Sequence, residues 1–196
     1  MNFFKKNNNK GFTIVELLIV SSIFVVITSV LLVRFSSFNS TIITTNLAYD
    51  VALSIRKAQS FGLNVRNFDS GNETVFDTGY GIHFESTSNT SYLFFADLNK
   101  NVKYSSNELV EVFNIGGGHT IKKFCAVISG SNQNCSDRGD IDDLDIVFIR
   151  PEPDAHIKSH EPDITYESAI ITVVSSSGAE REIRVFSTGQ ISIVKK

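Results

Sequence analysis

The residue with the clearest chemical demand is Glu16. It is the fifth residue, and the only charged one, of the 22-residue run FTIVELLIVSSIFVVITSVLLV at positions 12–33. A helix of that length spans about 33 Å, enough to cross a hydrocarbon core of about 30 Å. An unpaired carboxylate inside such a span costs roughly 2.5–3.5 kcal/mol, so an acid there needs a partner and marks a function. Lys5, Lys6 and Lys10 precede the run with no acid among them. That charge places this end in the cytoplasm and the bulk of the chain outside it. A secretory signal would have a shorter apolar core followed by a small-residue cleavage site. Val33-Arg34-Phe35-Ser36 is a poor one, so the expectation is a single-pass chain with an exported C-terminal part.

Export colours the other candidate chemistry. Cys125 and Cys135 are the only cysteines; in an exported chain two cysteines favour a disulfide, the alternative being a free Cys125 buried in its strand. Asp97, Asn99 and Asn101 have the spacing that opens a calcium loop, with Glu108 at its twelfth position. Against that, Val102 stands where a glycine is expected, and Asp and Asn favour turns without any metal. Asp137, Asp140, Asp142, Asp143 and Asp145 cluster beside Cys135, either as cation oxygens or as a solvated loop ahead of a strand at 146–149. His156 and His160, beside Glu161, would make a zinc pair on a helix face, but Pro153 and Pro162 flank them and no third ligand is evident. His83 and His119 have no legible nucleophile partner. Gly116-Gly117-Gly118 lacks the strand–glycine–helix setting of a phosphate loop. The sequence therefore predicts neither an enzyme nor a cofactor. Lys122, Lys123, Arg181, Arg184, Lys195 and Lys196 are the positions a DNA contact would use, with Glu180 and Glu182 interleaved among them.

The elements that must position these residues follow from pattern. The 196 residues, 42% hydrophobic, 20% charged and of net charge −3, fit one domain plus an additional segment. They exclude collagen-like, disordered and low-complexity classes and argue against a general nucleic-acid-binding surface. Neither Gly nor Pro interrupts residues 12–61, so one helix can continue past the membrane, although residues 34–46 are only weakly helical by propensity. Leu47, Val51, Ile55, Ala58 and Phe61 form the stripe of a helix lying on a sheet, ended by Gly62 or by the stretch 64–67. Beyond residue 68 strands are predicted at 80–85, 91–96, 109–115, 120–129, 144–150, 168–175, 182–187 and 190–194. Turns at 70–72, 116–118, 177–178 and 188–189 separate them. The acidic, proline-bearing stretch 151–163 is expected to be an exposed loop.

The segment Lys10-Gly11-Phe12-Thr13-Ile14-Val15-Glu16-Leu17-Leu18-Ile19-Val20 resembles the type III signal of type IV pilins and type II secretion pseudopilins. The resemblance implies that a prepilin peptidase cuts between Gly11 and Phe12 and that Phe12 becomes the N-methylated first residue. It also supplies a partner for Glu16, the α-amino group of a neighbouring subunit; such a pair in apolar surroundings attracts far more strongly than in water. Cleavage would leave 15 basic and 21 acidic residues, a net charge of −6. The stretch LAYDVALSIRKAQSFGLNVR, the turn FADLNKN and the hairpin EIRVFSTGQISIV are similar to the corresponding parts of minor pseudopilins of the GspH/FimT type.

The implied fold is pilin-like α+β, a long N-terminal helix, half transmembrane and half amphipathic, packed on a C-terminal antiparallel β-sheet domain. The implied division is a leader at 1–11, an assembly helix at 12–33, its amphipathic continuation at 34–66 and an extracytoplasmic domain at 67–196. The implied role is that of a structural subunit, minor pilin or pseudopilin, of a type IV pilus or type II secretion-like filament. It would reside in the cytoplasmic membrane and then in a periplasmic or cell-surface filament. Its partners would be the prepilin peptidase, other pilin subunits, an assembly ATPase and a membrane platform protein. The alternatives are a filament-tip module that binds DNA or surfaces and a signal-anchored extracytoplasmic enzyme.

Overall fold

The computed structural model describes residues 11–64, 68–69, 74–75, 78–130, 132–162 and 164–195. The expected lysine-bearing leader, the turn at 70–72 and Lys196 lie outside the described residues. The architecture is α+β. Helix α1 (Ile14–Leu63) is capped by Thr13, whose Oγ1 accepts the Glu16 backbone N–H at 3.2 Å. That bond satisfies one of the amides that a first helical turn leaves without an acceptor. The helix then continues unbroken through 34–46, where propensity alone is weak. The chain divides into two compact units, one ending at Asn39 and the other Ser40–Lys196.

In the first unit, every large apolar side chain from Phe12 to Leu32 is exposed, and Ile14–Leu32 is long and apolar enough to cross a membrane. The hydroxyls in this span donate back to carbonyls of the helix itself: Ser21 to Leu18 at 3.0 Å, Ser22 to Ile19 at 2.8 Å, Thr28 to Phe24 at 2.7 Å and Ser29 to Val25 at 2.8 Å. Such back-bonding lets hydroxyls enter an apolar medium without unpaired donors.

The second unit contains two five-stranded antiparallel sheets where the sequence pointed to one β-rich domain without separating them. The first runs in the order β5 (Leu109–Asn114), β4 (Ser91–Asp97), β3 (Gly79–Glu85), β8 (Asp143–Phe148), β9 (Ala155–Lys158). The second runs β12 (Ile191–Lys195), β11 (Glu180–Phe186), β10 (Ser168–Val174), β6 (Thr120–Ser129), β7 (Asn132–Cys135). A short ribbon pairs β1 (Phe68–Asp69) with β2 (Thr74–Val75). Val51, Ile55 and Ala58 of α1 share one apolar cluster with Ile82, Phe84 and Phe94 of the first sheet and Phe124, Ile171 and Val185 of the second. Phe61 caps this contact edge-on, with ring centroids 5.5 Å from both Tyr80 and Phe94.

One alternative is decided here, one expectation is corrected and one strand is added. Of the two expected ends of α1, the stretch beginning at Asn64 is the one observed: the helix runs to Leu63, and Gly62 lies inside its last turn, where the helix presses onto β8 and a Cβ would stand 2.2 Å from the Phe148 carbonyl oxygen. The stretch 151–163 is not simply a loop, since Ala155 and Ile157 point into the core with His156 exposed between them, and the segment pairs with β8 as β9. Strand β7 went unread because its sequence, NQNC, is polar; its pairing with β6 aligns Cys125 with Cys135.

The sulfurs of those two cysteines are bonded, 2.06 Å apart. Closing so short a loop limits the unfolded ensemble, and replacing both cysteines by serine is expected to cost about 2–4 kcal/mol. Urea unfolding of the double variant checks this; an unchanged midpoint would show that strand pairing alone holds β7.

Candidate functional site

The N-terminal segment carries the first candidate. Residues 11–13 precede the helix, Gly11 and Phe12 are exposed, and nothing lies within 4 Å of the Gly11 Cβ position. The Gly11–Phe12 bond therefore sits in an open, non-helical stretch of the kind a protease can accept in extended form. Four residues on, Glu16 occupies the first turn, where the helix dipole favours an acid. Among the described residues no cationic side chain pairs with its carboxylate. Thr13-Ile14-Val15-Glu16 is also a capping-box sequence. That signal was present in the sequence, and it explains why the helix starts where it does.

The second candidate lies on the face of the first sheet opposite the core. The alternation of β8 sends Leu144, Ile146 and Phe148 inward and places Asp143, Asp145 and Val147 on the other face. Asp145 stands in register with His83 of β3, and the Asp145 Oδ1 and His83 Nδ1 atoms are 2.8 Å apart. Both side chains are buried.

The segment after β4 covers this pair. Asp97 accepts the backbone N–H groups of Asn101 and Val102, both at 3.0 Å. Glu108 accepts those of Leu98 at 3.1 Å, Asn99 at 3.2 Å and Ser105 at 2.8 Å. Lys100 and Val102 take left-handed conformations, φ +59° and +65°, to bring these amides inward. The loop so formed lays Tyr104 over the pair: its ring is 4.7 Å from that of His83, and its N–H donates to Asp145 Oδ2 at 3.2 Å.

The calcium spacing at Asp97, Asn99, Asn101 and Glu108 is thus occupied by a different chemistry. The oxygens that would face a cation face backbone N–H donors instead, and Asn99 and Asn101 likewise accept amides two residues on. Burial pushes the Asp97 carboxyl above the ordinary carboxylate range, as it does that of Asp145. Burial also opposes ionisation of Asp143. The amide and ring of His160 and the Ser159 hydroxyl outweigh it, however, and hold that carboxyl below the ordinary range. Asp143 Oδ1 accepts Ser159 Oγ at 3.0 Å and the His160 N–H at 2.8 Å, and Oδ2 contacts His160 Nδ1.

The acidic cluster at 137–145 is accordingly not one solvated loop. Asp137 pairs with Lys123 at 2.8 Å, and Asp140 pairs with Arg138 at 2.9 Å while accepting the Cys135 N–H. Asp143 and Asp145 are buried strand residues. His156 and His160 do not share a helix: the former is exposed on β9 and the latter joins Asp143. The basic positions considered for DNA are largely partnered, Lys122 by Glu180, Lys123 by Asp137 and Arg184 by Glu182. His119 is buried, and its Nδ1 has no hydrogen-bond partner among the described residues. The His83–Asp145 pair was missed because 62 residues separate its members; the period-two alternation of Asp143 and Asp145 with Leu144 and Ile146 was the available signal.

Residues 6–32 match the family described as the prokaryotic N-terminal methylation motif. The chain thus carries the N-terminal signal of a type IV pilin-like precursor, which implies processing by a prepilin peptidase and assembly with other pilins. The matched residues include Gly11, Phe12, Glu16 and nearly all of the apolar run. No curated protein and no solved structure matches the chain.

Proposed function

We propose that the protein is a minor pilin or pseudopilin, of the GspH/FimT kind, that serves a type IV pilus or type II secretion-like filament by assembly rather than catalysis. The observation that carries this reading is the coincidence of the methylation motif with an exposed apolar helical span, Ile14–Leu32, bearing one acid that no cationic side chain pairs with among the described residues. Cleavage between Gly11 and Phe12 creates an α-ammonium at the end of that helix. In a filament the helix exchanges lipid for the apolar helices of its neighbours, and Glu16 pairs with the ammonium of an adjacent subunit. The charges cancel only in the correct register, so the pair sets subunit stagger while side-chain burial supplies the adhesion. The β-rich domain remains outside the membrane, and an assembly ATPase and a platform protein drive extraction of the helix.

The test is the mass of the N-terminal peptide from membranes and from sheared filaments. The expected peptide starts at N-methylated Phe12, and its recovery in the sheared fraction indicates a surface pilus over a periplasmic pseudopilus. A peptide starting at Met1 in cells with active prepilin peptidase would overturn the assembly mechanism.

A further inference from the structure

We propose that His83, Asp143 and Asp145, joined by His160, form a binding site for a divalent transition-metal ion of the zinc type on the globular unit. One donor atom from each of His83, Asp143 and Asp145 lies within 4.8 Å of the other two. Ligands arranged tetrahedrally at about 2.0–2.2 Å from zinc stand roughly 3.3–3.5 Å from one another, so small side-chain rotations bring the three atoms to ligand spacing. His160, already against Asp143 Oδ2 with its side chain 53% exposed, supplies the fourth ligand from the cleft side.

Charge points the same way. Asp145 and Asp143 are 0% and 8% exposed, side by side on one face of one strand. Buried carboxylates need a compensating charge; Asp145 meets the imidazole of His83 and Asp143 that of His160, and the cleft of ≈ 580 Å³ lined by His83, Asp143 and His160 carries further acids, Glu85, Asp142 and Glu161. With neutral imidazoles, one divalent ion cancels both aspartates. A mixed imidazole and carboxylate set suits zinc and its neighbours, whereas calcium selects oxygen alone. The site is also supported from behind: the Tyr104 amide holds Asp145, and the Ser159 hydroxyl and the His160 amide hold Asp143. Such outer bonds orient ligands on a rigid scaffold. The site is independent of helix assembly, and the loop at 97–108 contributes Tyr104 to its support.

The experiment is equilibrium dialysis of the full, untagged chain in detergent, stripped with chelator and then offered zinc, cobalt or calcium. Expected are one zinc ion per chain, a rise in the unfolding midpoint with zinc, and the intense visible absorption of a tetrahedral cobalt complex. His83→Gln and Asp145→Asn should each weaken zinc binding by roughly 10–100-fold or more. Should either fail to fold, His160→Gln, at the half-exposed ligand, must still lower affinity and alter the cobalt spectrum. Absence of zinc binding by the wild-type chain, binding unchanged by His83→Gln or His160→Gln, or preference for calcium would each overturn the proposal.

Discussion

Gly62→Ala is expected to destabilise the globular unit by about 3 kcal/mol, although the same change in an open helix stabilises by about 1 kcal/mol. The new methyl would lie 2.2 Å from the Phe148 oxygen and 2.8 Å from its carbonyl carbon. Both are backbone atoms of a strand bonded on both sides, to β3 and β9, so neither can step aside as the end of a flexible side chain would. Relief requires the last turn of α1 to lift from β8. That movement also separates Phe61 from Tyr80 and Phe94 and breaks the cation–π contact of Lys57 with Phe94, 4.9 Å from the ring. Gly62→Val should be worse, because its branched Cβ adds a second clash. Urea unfolding of the full chain in detergent gives the values, with Arg56→Ala, an exposed change on the same helix, as a control expected within about 0.5 kcal/mol of wild type. A Gly62→Ala variant as stable as wild type would mean that helix and sheet are not in hard contact.

Glu108→Ala should cost about 3–5 kcal/mol. Glu108 is fully buried and accepts the amides of Leu98, Asn99 and Ser105. Removing it leaves three donors without acceptors at roughly 1–3 kcal/mol each, part of which water recovers as the loop opens. The loss spreads, because this loop delivers the Tyr104 ring to His83 and the Tyr104 amide to Asp145. Hydrogen exchange should therefore show lost protection at Leu98, Asn99, Tyr104 and Ser105 beyond the drop in global stability. Glu108→Gln, which keeps one acceptor oxygen but presents an N–H group to another N–H, should fall between. Calcium should leave the wild-type unfolding midpoint unchanged. A calcium-dependent rise that Glu108→Ala abolishes would make the loop a cation site after all.

Legibility along the chain tracked the range of the interactions involved. The apolar run, its basic border and Glu16 are read from consecutive residues, because crossing a membrane is a demand on length and composition alone. Capping at Thr13 is equally local, needing only the residue three positions on. The stripe from Leu47 to Phe61 and most strands declare themselves by period, since burial of one face repeats every 3.6 or two residues. Strand β9 escaped because three prolines and several charges outweighed a single alternation, Ala155 and Ile157, too short to read against them. The choice between Gly62 and the stretch 64–67 as the helix end stayed open for a related reason: a glycine near a helix end is as consistent with a cap as with close packing, and only the position of Phe148 decides between them.

The sequence by itself thus determined an apolar helix long enough to cross a membrane, the N-terminal methylation motif with Glu16 inside it, and the α+β class. Each is encoded in neighbours along the chain. Tertiary structure alone decided that the strands divide into two sheets, that the calcium-like spacing closes on its own amides, and that His83 meets Asp145 while His160 meets Asp143. Those outcomes depend on strand register, and register is set by which faces are buried together, a property of the folded sheet that no local stretch of sequence carries.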